Sequence, residues 1–291
     1  DRTLHTGQMP LITASDLLTH MGSIRLLDAR PDPADFQAGH LPGACHASLE
    51  QDLSTAWQPD HDPARGGRHP LPPVPRFAAR LGAWGITPAT EVVVYDAAGG
   101  GNAAARAWWM LRALGHQRVT VLDGGLAAAL AAGLALVTDD PPPAPAPAYP
   151  ADRWHLPTVE AAAVEALRGN PAWKLVDARS AERWRGETEP FDPLAGRIPG
   201  SLNLPWPQTL GPDSRFRSAE DLRERFQVLL QGTPPERVAV HCGSGVTACH
   251  TLLAMAVAGL GGASLYVGSW SEWCRSDRPK AGAAVSGTAT P

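Results

Sequence analysis

The sequence predicts an α/β protein made of two copies of one domain, each a mostly parallel β-sheet flanked by helices. Three observations lead to this prediction. Short apolar runs alternate with helical patterns, three segments of the first half recur in the same order in the second half, and a proline-rich stretch separates the halves. Strands that alternate with helices favour a parallel sheet that is covered on both faces.

Three pairs of matching segments define the repeat. Residues 26–30 (LLDAR) match 175–179 (LVDAR), 39–43 (GHLPG) match 196–200 (GRIPG), and 92–96 (VVVYD) match 238–242 (VAVHC). The order is the same in both halves, as expected of a duplicated unit. Each copy then has about 130 residues, which is an ordinary size for a domain.

A proline-rich linker is predicted between the copies, at residues 139–150 (DDPPPAPAPAYP). Proline fixes φ and has no amide donor, so such a segment forms neither a helix nor a central strand and acts as a semi-rigid strap. We therefore predict one domain over residues 9–138, the linker over 139–150 and a second domain over 151–280. The small and polar residues 281–291 are predicted to form a flexible tail.

Apolar runs locate the elements of each domain. Buried strands are predicted at residues 26–27, 92–95, 119–122, 175–176, 238–240 and 265–267. Helices are predicted at 104–114, 218–230 and 246–260.

Composition excludes several classes of protein. The 291 residues include 25 Lys and Arg against 29 Asp and Glu, a net charge of −4, which argues against a strongly basic nucleic-acid binder. No stretch reaches the roughly 18 consecutive apolar residues of a membrane span. Four cysteines are too few for a disulfide scaffold, so free thiols in a reducing cytoplasm are predicted. We expect neither a nucleic acid nor a membrane as a partner.

The strongest local signal is Cys242, which directly follows the predicted strand 238–240. The next five residues are Gly243, Ser244, Gly245, Val246 and Thr247, and an apolar helix follows them. The glycines allow the loop amides to turn inward at the positive end of a helix, an arrangement that stabilises a thiolate or a persulfide. A buried structural cysteine is the alternative interpretation, and the Gly-Ser-Gly loop favours a nucleophile over it.

Two other chemistries are disfavoured by the residues after Cys242. Cysteine phosphatases place an arginine six residues after the cysteine to grip phosphate, and here that residue is Ala248. Cys249 and His250 lack the paired spacing of zinc ligands and are predicted to pack on the helix. No metal site is expected.

These motifs resemble the tandem-domain rhodanese family of sulfurtransferases. The segments that carry the resemblance are residues 28–30, 39–43, 67–72, 123–125, 177–179, 183–186, 198–200, 242–247 and 268–273. The resemblance implies two rhodanese-like domains, of which only the second holds a catalytic cysteine. Asp96 stands at the matching place in the first domain, which is therefore predicted to be catalytically inactive. We expect Asp96 to cap the helix that follows residues 99–102.

The family divides by the loop after the cysteine. Thiosulfate-specific members carry two basic residues there, whereas mercaptopyruvate-specific members carry Gly-Ser, as at Gly243 and Ser244. The resemblance implies 3-mercaptopyruvate as the donor, with Arg183 as the arginine that binds its carboxylate. Thiosulfate remains an alternative donor. A non-enzymatic carrier that holds a persulfide and docks partners is a third possibility.

The chain departs from the family pattern near this arginine. The animal mercaptopyruvate enzymes carry a second substrate arginine nine residues after the first, where this chain has Asp192, and Arg197 is a candidate replacement. In those enzymes an acid and a histidine of the first domain reach the catalytic serine. The matching positions are Glu50 and His69, with Asp52 as an alternative acid.

The mechanism that the resemblance implies has two half-reactions. The Cys242 thiolate takes sulfur from a small donor to form a persulfide, while Ser244 contributes a hydrogen bond or a proton and the amides of residues 243–247 stabilise the anionic sulfur. A thiol, cyanide or a protein then accepts the sulfur. No metal or organic cofactor is expected. Among the other thiols, Cys45, Cys249 and Cys274, Cys249 is nearest along the chain to Cys242.

Overall fold

In the computed structural model, which describes residues 9–139 and 143–282, the chain forms two parallel five-stranded sheets with helices on their faces. The strands are β1 Leu11–Ile12, β2 Ile24–Asp28, β3 Ala44–His46, β4 Glu91–Tyr95, β5 Val119–Leu122, β6 Thr158–Val159, β7 Lys174–Asp177, β8 Leu202–Asn203, β9 Val238–His241 and β10 Ser264–Tyr266. The strand order is β1-β5-β4-β2-β3 in the first sheet and β6-β10-β9-β7-β8 in the second. The predicted α/β fold class is confirmed.

The helices connect these strands. They are α1 Ala14–His20, α2 Pro33–Ala38, α3 Val74–Ala83, α4 Ala104–Ala113, α5 Gly125–Ala131, α6 Ala161–Leu167, α7 Ala181–Arg185, α8 Ala219–Leu230, α9 Thr247–Val257 and α10 Ser269–Trp273, with short 3₁₀ helices at Trp206–Thr209 and Pro235–Arg237. Each predicted strand and helix corresponds to one of these elements.

The two sheets have the same strand order. In the first sheet β2 lies between β3 and β4, and in the second β7 lies between β8 and β9. The middle strands β4 and β9 are almost entirely buried because helices cover both faces. Asp96 and Cys242 therefore follow the carboxyl ends of equivalent strands, at the edge where open α/β sheets bind ligands.

Helix α9 is apolar on nearly all sides because it packs between its own sheet and helix α4 of the first half. It ends at Val257, three residues before the predicted end. Gly259 adopts φ +74°, and the amide of Leu260 donates to the carbonyl of Met255. This left-handed glycine closes the helix, as glycines after helix ends commonly do.

The described part of the linker, residues 143–150, holds neither helix nor strand, as predicted. It packs along α3: the amide of Ala146 donates to Gly82, and that of Tyr149 donates to Ala78. A Cβ atom on Gly82 would lie 2.6 Å from the carbonyl oxygen of Pro147, so this close approach requires glycine. This part of the linker is therefore attached to the first half of the chain. The domain boundaries stay a prediction, and most of the predicted tail lies outside the described residues.

In the part of the chain that the structure describes, we find no helix with the length and apolar character needed to span a membrane.

Candidate active site

The backbone around Cys242 is restrained on both sides. Its amide donates to the Ser269 hydroxyl at 3.1 Å, and its carbonyl accepts from the Trp270 amide at 3.0 Å. Only 2% of the residue is exposed. These contacts hold the sulfur at one place at the end of β9.

The loop after Cys242 presents backbone amides near the sulfur. The Gly245 amide donates to Sγ at 3.2 Å. Four further loop amides have no acceptor among the residues that the structure describes, namely those of Gly243, Ser244, Val246 and Thr247. We predicted that all the amides of this loop face the sulfur, and in the structure only the Gly245 amide bonds to it. The four unused donors lie at the start of α9, where added negative charge is stabilised.

Gly245 is required for this loop shape. Its φ is +77°, and a Cβ atom there would lie 2.4 Å from the Val267 carbonyl oxygen. Any other residue would strain the loop or push it away from β10.

In the first half, the Asp96 carboxylate occupies the equivalent loop. Its two oxygens accept four backbone hydrogen bonds, from the amides of Ala98, Gly100, Asn102 and Ala104, at 2.8 to 3.2 Å. The residue is fully buried. The carboxylate therefore fills the amide cradle as well as capping the start of α4, and no thiol stands at this position.

A hydrogen-bonded relay joins the two halves at Ser244. The Ser244 hydroxyl lies 2.8 Å from Nδ1 of His69, and Nε2 of His69 lies 3.0 Å from the Glu50 carboxylate. Burial lowers the pKa of His69, and the hydrogen bond from His69 lowers the pKa of Glu50. A neutral imidazole next to a carboxylate donates through Nε2, so Nδ1 accepts from Ser244. Asp52, the alternative acid, pairs instead with Arg80.

Two arginines converge on Gly243. A Cβ atom on Gly243 would lie 3.0 Å from Nη2 of Arg183 and 3.1 Å from Nη2 of Arg68. Arg183 is held by Glu189 through two hydrogen bonds of 3.1 and 2.7 Å. The sequence predicts Arg183 at this place, whereas Arg68 was not among the predicted site residues.

A third arginine lies beneath the loop, fully buried in helix α4. The Arg106 guanidinium donates to the carbonyls of Gly245, Leu53 and His69 at 3.1, 3.3 and 2.9 Å. It therefore ties the Cys242 loop to the loop that carries His69. No described carboxylate pairs with it. Burial lowers the pKa of Arg106, an effect that the Cys249 and Cys242 thiols oppose.

The sequence matches a known family across both halves. The family model for the rhodanese-like domain matches residues 13–132 and 160–276. The chain belongs to the rhodanese family. The predicted resemblance is thereby confirmed, and both matches fall within the two predicted domains.

Several relatives of the protein are similar over nearly the whole chain. A probable 3-mercaptopyruvate sulfurtransferase of Pseudomonas aeruginosa is 43% identical, over 92% of this chain and 96% of the relative. The human 3-mercaptopyruvate sulfurtransferase is 36% identical, over 96% and 90%. A putative thiosulfate sulfurtransferase of Mycobacterium tuberculosis is 39% identical, over 92% and 94%.

Two solved structures of sulfurtransferases are similar in fold to this chain. The 3-mercaptopyruvate sulfurtransferase of Leishmania major superposes with a TM-score of 0.79 at 30% identity, covering 94% of this chain and 75% of that one. The Escherichia coli 3-mercaptopyruvate sulfurtransferase superposes with a TM-score of 0.75 at 29% identity, covering 90% and 99%.

The contacts of Arg197 do not support its predicted place at the substrate. Its guanidinium stacks on Trp184 at 4.3 Å and donates to the Trp184 carbonyl, while its backbone pairs with Ala281. None of its described contacts is with the Cys242 loop. Asp192 stands where the family pattern has a second substrate arginine. In the structure Arg68 approaches this position instead, with its Nε 3.3 Å from the Asp192 carboxylate.

The other thiols of the chain are buried. Cys249 donates from Sγ to the Gly245 carbonyl, and burial raises the pKa of its thiol to about 12. His250 bonds to Thr209 and stacks on Phe216. These contacts agree with the predicted packing role on α9.

The sequence carried a usable signal for Arg106 but little for Arg68. Arg106 is the one charged residue within residues 103–111 (AAARAWWML). A charged side chain inside a buried helix is almost never found without polar partners, so the sequence indicates that Arg106 has such partners. Arg68 lies in a polar loop, where an arginine is unremarkable. Only the approach of the two halves brings it to Gly243.

Proposed function

We propose that the protein is a sulfurtransferase that moves sulfur from 3-mercaptopyruvate to a thiol, cyanide or protein acceptor through a persulfide on Cys242. The observation that carries this proposal is the Ser244–His69–Glu50 relay beside the cysteine, in a loop that lacks basic residues. A relay that moves a proton suits a donor that must lose one proton and gain another. Thiosulfate needs no such transfer.

The first half-reaction balances without an external proton. The Cys242 thiolate attacks the sulfur of mercaptopyruvate, the carbon–sulfur bond breaks, and its electron pair leaves as the enolate of pyruvate. Ser244 takes the thiol proton of the substrate while passing its own to Nδ1 of His69, and the reverse transfer delivers a proton to the enolate carbon. The products are pyruvate and the Cys242 persulfide anion.

The second half-reaction regenerates the thiolate. An acceptor nucleophile attacks the outer sulfur, the sulfur–sulfur bond breaks, and its electron pair returns to Cys242. The Gly245 amide stabilises the anionic Cys242 sulfur, and the four unused loop amides are the donors available to the outer sulfur of the persulfide. Arg183 binds the donor carboxylate, since its guanidinium lies against Gly243 and Glu189 holds it in place. A mechanism that uses a free thiolate suits a reducing compartment. We therefore propose the cytoplasm as the location of this protein.

Donor preference is the direct test of this proposal. With cyanide as the acceptor, we expect kcat/KM for pyruvate release from mercaptopyruvate to exceed kcat/KM for sulfite release from thiosulfate by at least about tenfold, the value of one charge-assisted contact. Equal or faster turnover of thiosulfate would contradict the donor assignment and favour the thiosulfate alternative. Absence of multiple turnovers with either donor in excess cyanide would favour a persulfide carrier.

The relay also predicts the acid side of the pH profile. His69 must be neutral to accept the Ser244 proton, and burial lowers its pKa from the ordinary value of 6.5. Protonation of His69 therefore occurs below that pH, and kcat/KM for mercaptopyruvate should fall on acidification in that range. The measurement is the pH profile of the wild type against His69→Asn, which should lose activity at neutral pH and lack this step. An acid-side step that persists unchanged in His69→Asn would contradict the assignment.

A further inference from the structure

The guanidiniums of Arg68 and Arg183 face the same small volume beside Gly243, and Nη2 of Arg183 also donates to Glu189. From the site of a Gly243 Cβ, Nη2 of Arg183 is 3.0 Å away, Nη1 of Arg183 is 3.4 Å away and Nη2 of Arg68 is 3.1 Å away. The two side chains arrive from different halves of the chain. Arg68 precedes His69 of the relay, and Arg183 lies in α7.

Arg68 is anchored through its backbone, and its Nε faces a carboxylate at ion-pair distance without a hydrogen bond. Its amide donates to the Ser271 hydroxyl at 3.0 Å, and Nε lies 3.3 Å from Oδ1 of Asp192. Its two terminal nitrogens have no acceptor among the described residues. The anchoring therefore leaves the end of the guanidinium free while directing it toward the loop.

The charges around this point do not cancel. The buried carboxylate of Asp192 is shared by three guanidiniums: Arg275 at 2.8 Å, Arg68 at 3.3 Å and Arg183 at 3.9 Å. Glu189 adds one further negative charge, which Arg183 shares with the buried Arg179. An excess of positive charge next to an uncharged glycine loop is suited to an anionic ligand.

Phe191 lies against both guanidiniums of this cluster. Its ring is 61% exposed, and the guanidinium carbons of Arg68 and Arg183 lie 5.2 and 5.1 Å from the ring centre. Stacking on one ring holds the two guanidiniums side by side, which reduces the freedom that each loses when an anion binds.

We propose that Arg68 is the second arginine that binds the donor, so that the first half of the chain helps to select α-keto carboxylates. Arg183 and Arg68 together offer donors to both the carboxylate and the neighbouring keto oxygen. Asp192 is a positioning residue, because it acts through Arg68. This inference rests on the proposed function, since it names how the same donor is recognised.

The test combines kinetics with two alkylating probes of Cys242. In Arg68→Gln, we expect KM for mercaptopyruvate to rise about tenfold or more, with kcat within about twofold, as for the loss of one charge-assisted hydrogen bond. The rate of Cys242 alkylation by iodoacetate, which carries a carboxylate, should fall about tenfold relative to that by neutral iodoacetamide. Arg65→Gln is the matched control: it removes the same charge from the same loop, but its side chain is 88% exposed, and we expect wild-type values.

The outcomes separate this inference from the proposed function. The iodoacetate ratio does not depend on which sulfur donor is used, so it tests Arg68 even where mercaptopyruvate proves to be a poor substrate. A wild-type ratio and KM in Arg68→Gln would overturn the inference. An equal fall in kcat and in both alkylation rates would indicate a structural role and would also overturn it. Arg68→Lys keeps the charge without the fork, and we expect it to restore the ratio in part.

Discussion

Cys242→Ser should abolish sulfur transfer from every donor, with kcat reduced at least about a thousandfold, as when a covalent nucleophile is removed. Serine fits the space of the thiol, and the Gly245 amide that donates to Sγ would donate to the hydroxyl instead. The fold should therefore remain, while the hydroxyl neither ionises at neutral pH nor carries sulfane sulfur. Pyruvate release from mercaptopyruvate and thiocyanate formation from cyanide are the activity measurements.

The persulfide itself is observable by mass. Wild-type protein mixed with mercaptopyruvate and no acceptor should gain the mass of one sulfur atom, and Cys242→Ser should gain none. Cys45→Ser is the matched control, because Cys45 is a buried thiol of the first sheet in β3. It should keep both the activity and the added sulfur. Residual activity in Cys242→Ser near that of the wild type would contradict the mechanism.

Arg106→Met should weaken both the fold and the site. Methionine fills part of the space but leaves the carbonyls of Leu53 and His69 buried without donors, and leaves the Gly245 carbonyl with only the weak Cys249 thiol donor. Each unpaired buried acceptor costs about 1–3 kcal/mol, and relief of the buried charge offsets part of this, so we expect a loss of about 2–4 kcal/mol in the free energy of unfolding. The Cys242 loop and the His69 loop would also lose the guanidinium that bonds to both of them. Because the site would then be less well positioned, kcat/KM should fall more than about tenfold.

Arg112→Met in the same helix is the control for this prediction. Arg112 lies at the end of α4 and bonds to Gln117 at the surface, so its loss should cost about 0.5 kcal/mol and leave activity unchanged. Chemical unfolding and steady-state kinetics measure both variants. Unaltered stability and activity in Arg106→Met would show that the three carbonyls do not depend on this guanidinium.

Much of the fold was predictable because its signals are local. The runs at residues 92–95 and 238–240 are apolar throughout, as strands buried on both faces must be, and the structure places them in β4 and β9. The end of α9 was placed three residues too late, because the apolar pattern continues past Val257. There a left-handed glycine, rather than a loss of apolar residues, ends the helix.

The site was predictable only in part. Cys242 and its glycines lie in one short segment, and the resemblance pointed to Ser244, Arg183, His69 and Glu50. It also pointed to Arg197, which the structure places against Trp184. The hydrogen-bond partners of the loop were the least predictable feature, since the direction of each amide depends on φ and ψ at every residue.

The order of apolar runs, glycines and repeated motifs along the chain was enough to predict the two α/β domains, the family and the position of the Cys242 sulfur at a strand end, because these features are set by neighbouring residues. The partners of that sulfur depend on contacts between residues far apart in the chain. Arg68, His69 and Arg106 come from the first half, and they reach Gly243, Ser244 and Gly245 only where the halves pack together. Long-range packing, driven by burial of the α4 and α9 faces, decided which charges surround the cysteine.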